Sequence, residues 1–241
     1  MTAELNDRIR REIEHGATDV AVRQADAGWD SPAGRIRKER RASFLLNQIP
    51  RSARVLEIGA GTGLQTRSLL AAIDDVTAID ISPDLIEVAK HRAPRANYQV
   101  MDAHAPQFPA GSFDAILGVS ILHHLNWDTC LMSCFRLLKP NGIIRFSEPN
   151  LLNPQIYLQK NIPALKRMAG DSPDEYAFTR WQIARSLRNI GFTAISVRAF
   201  EFLHPGTPER LVPFVMKLES WISRTVLNEI AGSLLIEARK S

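Results

Sequence analysis

VLEIGAGTG, Val55 to Gly63, sets Gly59, Gly61 and Gly63 at alternate positions behind an apolar run that carries one acid, Glu57. A short apolar run closed by glycines reads as a buried strand ending in a tight turn. The next stretch, Leu64 to Ala72, reads as a helix, with Leu64, Leu69, Leu70 and the following Ile73 spaced to bury one side. Without a Cβ, Gly59 and Gly61 permit backbone conformations and close contacts that a side chain would obstruct. Gly63 lets the helix start tightly against the strand.

Outward from this turn the alternation repeats. Arg54–Ile58, Val76–Asp80, Tyr98–Met101, Phe113–Val119 and Ile143–Ser147 read as strands. Between them Ser82 caps a helix with Pro83 at its first position. Asp128 is expected to cap another that runs through Leu138, where Lys139-Pro140-Asn141-Gly142 stops it. Strands and helices alternating at this spacing mean an α/β fold, a parallel sheet covered on both faces. Thr179 opens a further helix that Gly191 closes, and Ala194–Phe202 and Ser233–Arg239 add two strands. The whole, residues 1–241, reads as a single domain: a helical cap over 1–50, a core over 51–150, and additions with the last strands over 151–241.

Composition narrows the class. Apolar residues at 45% and charged ones at 23% are ordinary for a globular chain. The N-terminus is charged and lacks the apolar stretch of a signal peptide, and no window reaches the ~18 apolar residues of a membrane span, so a cytoplasmic protein is expected. Cys130 and Cys134, four apart, read as small core residues of one helix face, and no metal is assigned because the other ligands of a zinc site are missing. RIRKERR, Arg35 to Arg41, is the most visible source of the net charge of +4. No aromatic residue interleaves with it, so it reads as a solvated helix face and nucleic acid is not expected as a partner.

In an open α/β sheet, ligands bind at the carboxyl ends of the strands, so the glycine turn is the place to look. A dinucleotide fingerprint needs glycine at position 64, where the chain has Leu64, and a P-loop needs a Gly-Lys-Ser/Thr that is missing. Glu57 would repel a pyrophosphate and suit a cation. S-adenosylmethionine carries a sulfonium and an ammonium but no phosphate. Asp80, ending the second strand, can accept both hydroxyls of its ribose.

VLEIGAGTG, AIDISPD, VMDAHAPQFPAGSFDAILGVSILHHL and RLLKPNGIIRFSEPN, in that order over Arg54 to Asn150, resemble the class I S-adenosylmethionine-dependent methyltransferases of the small-molecule type. The resemblance implies a Rossmann-like seven-stranded sheet of order 3-2-1-4-5-7-6 with an antiparallel last strand. It also implies that Glu57, Gly59, Ala60, Gly61 and Gly63 line the methionine part of the cofactor. Asp80 would hold the ribose, Ile81 would pack on the adenine, and Asp102 with Ala103 would meet its amino group. Val119 and Ser120 would lie under the methionyl end.

Methyl transfer from a sulfonium needs alignment and exclusion of water, and a hydroxyl acceptor also benefits from a base. SILHHL puts His123 and His124 just past strand four, and His124 is the candidate base, with Glu148 the other polar group nearby. O-methylation is favoured on that ground, and a small, moderately hydrophobic acceptor is expected, since Tyr157, Leu158, Tyr176, Phe178 and Trp181 promise an aromatic wall above the strand ends. The alternatives are an RNA-modifying methyltransferase and a cofactor-binding protein without chemistry on the same fold. An amino-methyltransferase of nucleic acid would carry Asn/Asp-Pro-Pro-Phe/Tyr where this chain has VSILHH. Between the last two strands, Leu211, Val215, Leu218 and Ile222 recur at helical spacing, widened by Phe214 and Trp221. That face is expected to cover its own sheet, the acceptor site, a second subunit in a homodimer, or a lipid surface. Closing the acceptor site is the favoured role beyond plain packing.

Overall fold

The computed structural model describes residues 28–169 and 175–241, so the expected cap over 1–50 is described only from Gly28 onward. Seven strands, β1 (Arg54–Ile58), β2 (Asp75–Asp80), β3 (Asn97–Val100), β4 (Phe113–Val119), β5 (Leu138–Pro149), β6 (Thr193–Phe200) and β7 (Ser233–Arg239), form one sheet of order β3-β2-β1-β4-β5-β7-β6. Neighbours among β1–β5 pair in parallel, and β7 runs antiparallel to both β5 and β6. This is the order and the reversed last strand that the resemblance implies.

Side chains alternate across each strand, and the inner strands feed two cores. Val55, Ala115, Leu117 and Ile143 join Leu69, Leu70 and Ile73 on one face. Leu56, Ile116 and Ile144 join Leu131, Leu137 and Leu187 on the other, with Cys130 and Cys134 buried there as free thiols. The helices are α1 (Pro32–Leu46), α2 (Leu64–Leu69), α3 (Pro83–Arg92), α4 (Trp127–Leu137), α5 (Pro154–Asn161), α6 (Pro163–Ala169), α7 (Arg180–Ile190) and α8 (Val212–Ile222), of which α1–α4 and α7 cover the sheet. Thr179 and Gln182 form a reciprocal capping box on α7, and Gly191 closes it in the left-handed region, as expected.

Several local expectations are corrected. Helix α2 stops at Leu69, short of Ala72, and Leu64 is only half-buried. Asn126, not Asp128, caps α4: its side-chain oxygen accepts the Thr129 N–H at 3.1 Å. Strand β5 starts at Leu138, which pairs with Phe113. The next pair is Ala115 with Ile143, so Lys139–Gly142 bulges out of the ladder with Asn141 at φ 63°.

The basic run is the largest correction. RIRKERR is on α1, but it is not a solvated face. Arg37 Nε and Arg41 Nη2 each donate to Glu201 Oε2 at 2.7 Å, Arg41 also reaches Ser233 Oγ, and Arg40 pairs with Glu219 of α8. Arg41 is buried, and burial lowers its pKa against the pull of Glu201. The carboxylates lie some 160 residues or more further along the chain. The arginines thus clamp the segment between β6 and β7 onto α1.

Helix α8 exists but is turned from its expected orientation. Its inward side is Val212, Val215, Met216 and Glu219, packed on Ala33, Ile36 and Leu203. Leu211, just before the helix, and Leu218 face solvent, together with Phe214 and Trp221. Hydrophobicity alone pointed to the other stripe; the buried ion pair of Glu219 with Arg40 decided the face.

Candidate cofactor and acceptor site

A cavity of about 660 Å³ opens at the carboxyl ends of β1, β2 and β4. Gly59, Ala60 and Gly61 form one edge, Asp80 and Ile81 the next, Asp102 and Ala103 a third, and Val119, Ser120 and His124 a fourth. Each glycine has its own reason. Gly59 has φ 75°, and a Cβ on it would lie 2.6 Å from Ile121 Cγ1. Gly61 has φ 51°, and a Cβ there would meet nothing within 4 Å, so its backbone is bare toward the open space. Gly63 is not on the cavity wall. A Cβ on it would lie 2.9 Å from Ala89 Cα, so it serves the contact of α2 with α3 rather than with the strand.

Asp80 ties the shelf together. Its Oδ2 accepts the Gly61 N–H at 2.8 Å and its Oδ1 the Ser82 N–H at 3.0 Å. Burial pushes this carboxyl up, against the pull of those N–H groups and of His124. With the Ile81 N–H also acting on it, the carboxylate keeps acceptor capacity for a ligand hydroxyl. Glu57 is different. It does not reach the cavity wall and is buried behind the glycine loop. Burial raises its pKa to about 8, with Thr66 pulling down and Asp80 adding to the rise. Glu57 is therefore largely neutral at pH 7, and the expected negative charge facing a cation is not what it provides.

Asp102 and His104 form a pinned pair. Asp102 Oδ1 accepts the His104 N–H at 2.8 Å and lies 2.7 Å from His104 Nδ1, while His104 Nε2 accepts the Asn126 N–H at 3.0 Å. These contacts assign a neutral ring with its proton on Nδ1. Burial would raise Asp102, but the His104 bonds outweigh it and hold the carboxyl below its ordinary range. His104 had no signal of its own in the sequence; its role depends on Asn126, which follows β4.

Beyond β4, Ser120 sits at φ 53°, held by its N–H to Ser147 O, and the chain turns through a single 3-10 turn, Leu122–His124. Glu148 holds this turn. Its Oε1 accepts the N–H groups of Ile121 and Leu122 at 2.9 and 3.0 Å, and its Oε2 lies 2.9 Å from His123 Nδ1. Glu148 is fully buried and off the cavity wall, so it orients His123 rather than meeting an acceptor. Burial, helped by His124, lowers the His123 pKa against Glu148 and Glu175.

Both histidines border the cavity, and Glu175 joins them, 3.6 Å from His124 Nδ1 and 3.9 Å from His123 Nε2. Lys160 from α5 pairs with Glu175. Burial opposes ionisation of Glu175, but His124, His123 and Lys160 outweigh it and bring its pKa to about 2. One ligand-type atom from each of His123, His124 and Glu175 lies within 4.8 Å of the others, with the Lys160 ammonium already supplying positive charge to the carboxylate. Glu175 escaped sequence reasoning because its partners lie far from it along the chain.

The expected aromatic wall is absent from the cavity. Phe178 is fully buried against Trp127, with ring centroids 5.2 Å apart. Tyr157, Leu158, Tyr176 and Trp181 are exposed on the outside. From the segment after β5, the cavity takes Asn153, Gln155, Ile156, Gln159, Lys160, Ala169 and Glu175 instead. Nor does α8 reach the cavity; Phe202, Leu203 and His204 do.

A sheet of this order, with a glycine loop, a strand-two aspartate and a histidine turn opening on one cavity, defines the methyltransferase class. A family model described as a methyltransferase domain matches residues 56–146. A demethylmenaquinone methyltransferase of Tropheryma whipplei is 31% identical over 182 residues, covering 68% of this chain and 76% of that one. A ubiquinone biosynthesis O-methyltransferase of Xanthomonas axonopodis is 38% identical, over 42% of this chain and 45% of its own length. Among solved structures, a phosphoethanolamine N-methyltransferase of Haemonchus contortus bound to S-adenosylhomocysteine superimposes with a TM-score of 0.70 at 18% identity, covering 97% of this chain and 60% of that one. The chain belongs to the class I S-adenosylmethionine-dependent methyltransferases, and S-adenosylmethionine is its cofactor. The names of the two relatives above point to small-molecule methylation.

Proposed function

We propose that the chain methylates a ring hydroxyl of a small, moderately hydrophobic acceptor, with His124 as the base. The observation that carries this is the histidine turn: two imidazoles on the cavity wall, one oriented by Glu148, both facing Glu175. The bound cofactor supplies a methyl group activated on sulfur. Gly59, Ala60 and Gly61 would lie along its methionine part, Asp80 would accept its ribose hydroxyls, Ile81 would pack on the adenine, and Asp102 with the Ala103 backbone would meet the amino group. Val119 and Ser120 would form the floor under the reacting end. Glu57 and Gly63 would support the loop from behind.

His124 removes the hydroxyl proton as the oxygen becomes nucleophilic, and the Glu175 carboxylate stabilises the imidazolium that forms. The relatives' names favour a quinone-type acceptor: one acts on demethylmenaquinone, and the other is an O-methyltransferase of ubiquinone biosynthesis. Incubation with methyl-labelled cofactor and a set of catechols and hydroquinones, followed by mass spectrometry, tests the reading. Labelled methyl ethers are expected; label on carbon or nitrogen only would refute O-methylation.

A further inference from the structure

All of the large apolar side chains exposed among the described residues, except Val100 and Met132, lie between Tyr157 and Ile230. Most of them come from α5, α6, α8 and the 3-10 turn Val226–Ile230, elements tied to one another, and α5 and α6 also border the cavity. Helices α5 and α6 pack on each other and bury no residue, leaving Leu158, Ile162, Leu165 and Met168 outward, Met168 at 82% exposure. Asn153, the cap of α5, donates to the carbonyl of Ile230, which ties α5 to the 3-10 turn Val226–Ile230. That turn packs on α8 and exposes Val226 at 85% and Leu227 at 51%. On α8, Phe214, Leu218 and Trp221 share one outward stripe while Glu219 is buried, the reverse of an ordinary surface helix.

Among the described residues, the charges beside this face have one dominant sign. Arg167, Arg210, Lys217 and Arg224 are exposed, and none takes part in a salt bridge among the described residues. Glu209 is the exposed acid on these elements; Glu229 is half-buried and paired with Arg180, while Glu175 and Glu219 are buried and paired. At a helical step of 100°, Lys217 flanks the stripe on one side, and Arg210 and Arg224 bracket the helix. A second copy packed here would bring cations against cations. Phosphate headgroups would neutralise them while the apolar tips enter the acyl boundary.

We propose that this face, formed by α5, α6, α8 and the Val226–Ile230 turn, docks on an anionic phospholipid surface and sets the cavity mouth against it. Ile156, Gln159 and Ala169 of α5 and α6 line the cavity from within, so these two of the docked elements are also its wall. An acceptor dissolved in the bilayer would then reach the histidine turn without crossing water. The surface rests on exposure and charge, and stands apart from the choice of methylated atom.

Co-sedimentation of the full chain with phosphatidylcholine vesicles, with and without about 30 mol% phosphatidylglycerol, tests the proposal. Binding to the anionic vesicles is expected to be at least ~10-fold tighter than to neutral ones and to weaken in high salt. Phe214→Ser with Trp221→Ser, and separately Lys217→Glu with Arg224→Glu, should each weaken it ~10-fold or more while leaving S-adenosylhomocysteine affinity unchanged, which also reports that the variants fold. No binding to either vesicle overturns the proposal. So does binding that both variant pairs leave intact. A dimer in sedimentation equilibrium that the Phe214/Trp221 variant dissociates, without vesicle binding by the wild type, assigns the face to a second copy instead.

Discussion

The shelf formed by residues 55–124 and the roof formed by residues 150–232 are built by different means. On the shelf, contacts run mostly between successive strand ends: Asp80 grips Gly61, and His104 grips Asp102 two residues away and Asn126 just past β4. The roof is held by pairs distant in sequence, Glu201 with Arg37 and Arg41, Glu219 with Arg40, and Asn150 with the backbone of Glu229 and Ala231. A shelf of that kind is a fixed frame for one cofactor, whereas a roof hung on a few clamps can vary its outer face and its acceptor without disturbing the frame.

Breaking a clamp is the severest test of this contrast. Arg41→Ala leaves Glu201, whose side chain is 1% exposed, with Arg37 as its remaining cation, and should cost about 1–3 kcal/mol in urea unfolding. Replacing both partners, as Arg41→Met with Glu201→Leu, should recover much of that loss. If Arg41→Ala costs under about 1 kcal/mol, the roof is not hung on α1.

The shelf has its own buried acid without an ion-pair partner, and pH separates it from the clamps. The folded-state pKa of Glu57 is about 8, well above the ordinary carboxylate value near 4.3 that applies in the unfolded chain. Between these values the folded protein holds a proton that the unfolded chain has released. Stability is therefore highest below the unfolded pKa and falls as pH rises toward about 8, by up to about 1.4 kcal/mol per unit. Glu57→Gln should flatten this fall, so the variant gains on the wild type by a few kcal/mol between pH 5 and pH 8. Parallel pH profiles for the two proteins would mean that Glu57 ionises freely in the fold.

His124 stands where shelf and roof meet, 3.6 Å from Glu175 and within electrostatic reach of Asp80. His124→Ala should lower turnover ~10²-fold with cofactor affinity within a few-fold of wild type. Turnover within a few-fold of wild type would reduce the histidine to a structural role. Asp80→Ala should act the other way, weakening S-adenosylmethionine in calorimetric titration by about 1–3 kcal/mol. An unchanged affinity would remove Asp80 from the cofactor's contacts.

The same contrast explains what the sequence made legible. The glycine turn, the strand-two aspartate and the histidine turn follow one another at strand ends, so a linear pattern suffices to find them, and Gly59, Gly61, Asp80, Asp102 and His124 all border the cavity. The sheet order came with the resemblance that those motifs carry. In the roof, the direction of a side chain depends on which face of a short helix is pinned. Glu219 turns α8 so that its apolar stripe points outward, and Phe178 goes inward while Tyr176 and Trp181 go outward. No periodicity in that stretch encodes an arginine on α1. RIRKERR reads as solvent-facing for the same reason, since its acids lie at the other end of the chain.

The smallest effect tests the border between the two regimes, the start of α4. Asp128 reads as the cap because an acid in a first turn favours a helix N-terminus. Asn126 is the residue that caps: its side-chain oxygen takes the Thr129 N–H at 3.1 Å and the Thr129 hydroxyl at 3.2 Å, and its own N–H donates to His104 Nε2. Asn126 thus links the helix behind the histidine turn to the pinned imidazole of the shelf. Asn126→Ala leaves the backbone bond to His104 in place and removes only the cap, so it should cost about 1 kcal/mol in urea unfolding. Asp128→Ala loses only a charge in the first turn and should cost a few tenths to about 1 kcal/mol, less as salt is added. The reverse order, with Asp128→Ala the costlier at high salt, would return the cap to Asp128 and loosen the link between His104 and the turn that carries His124.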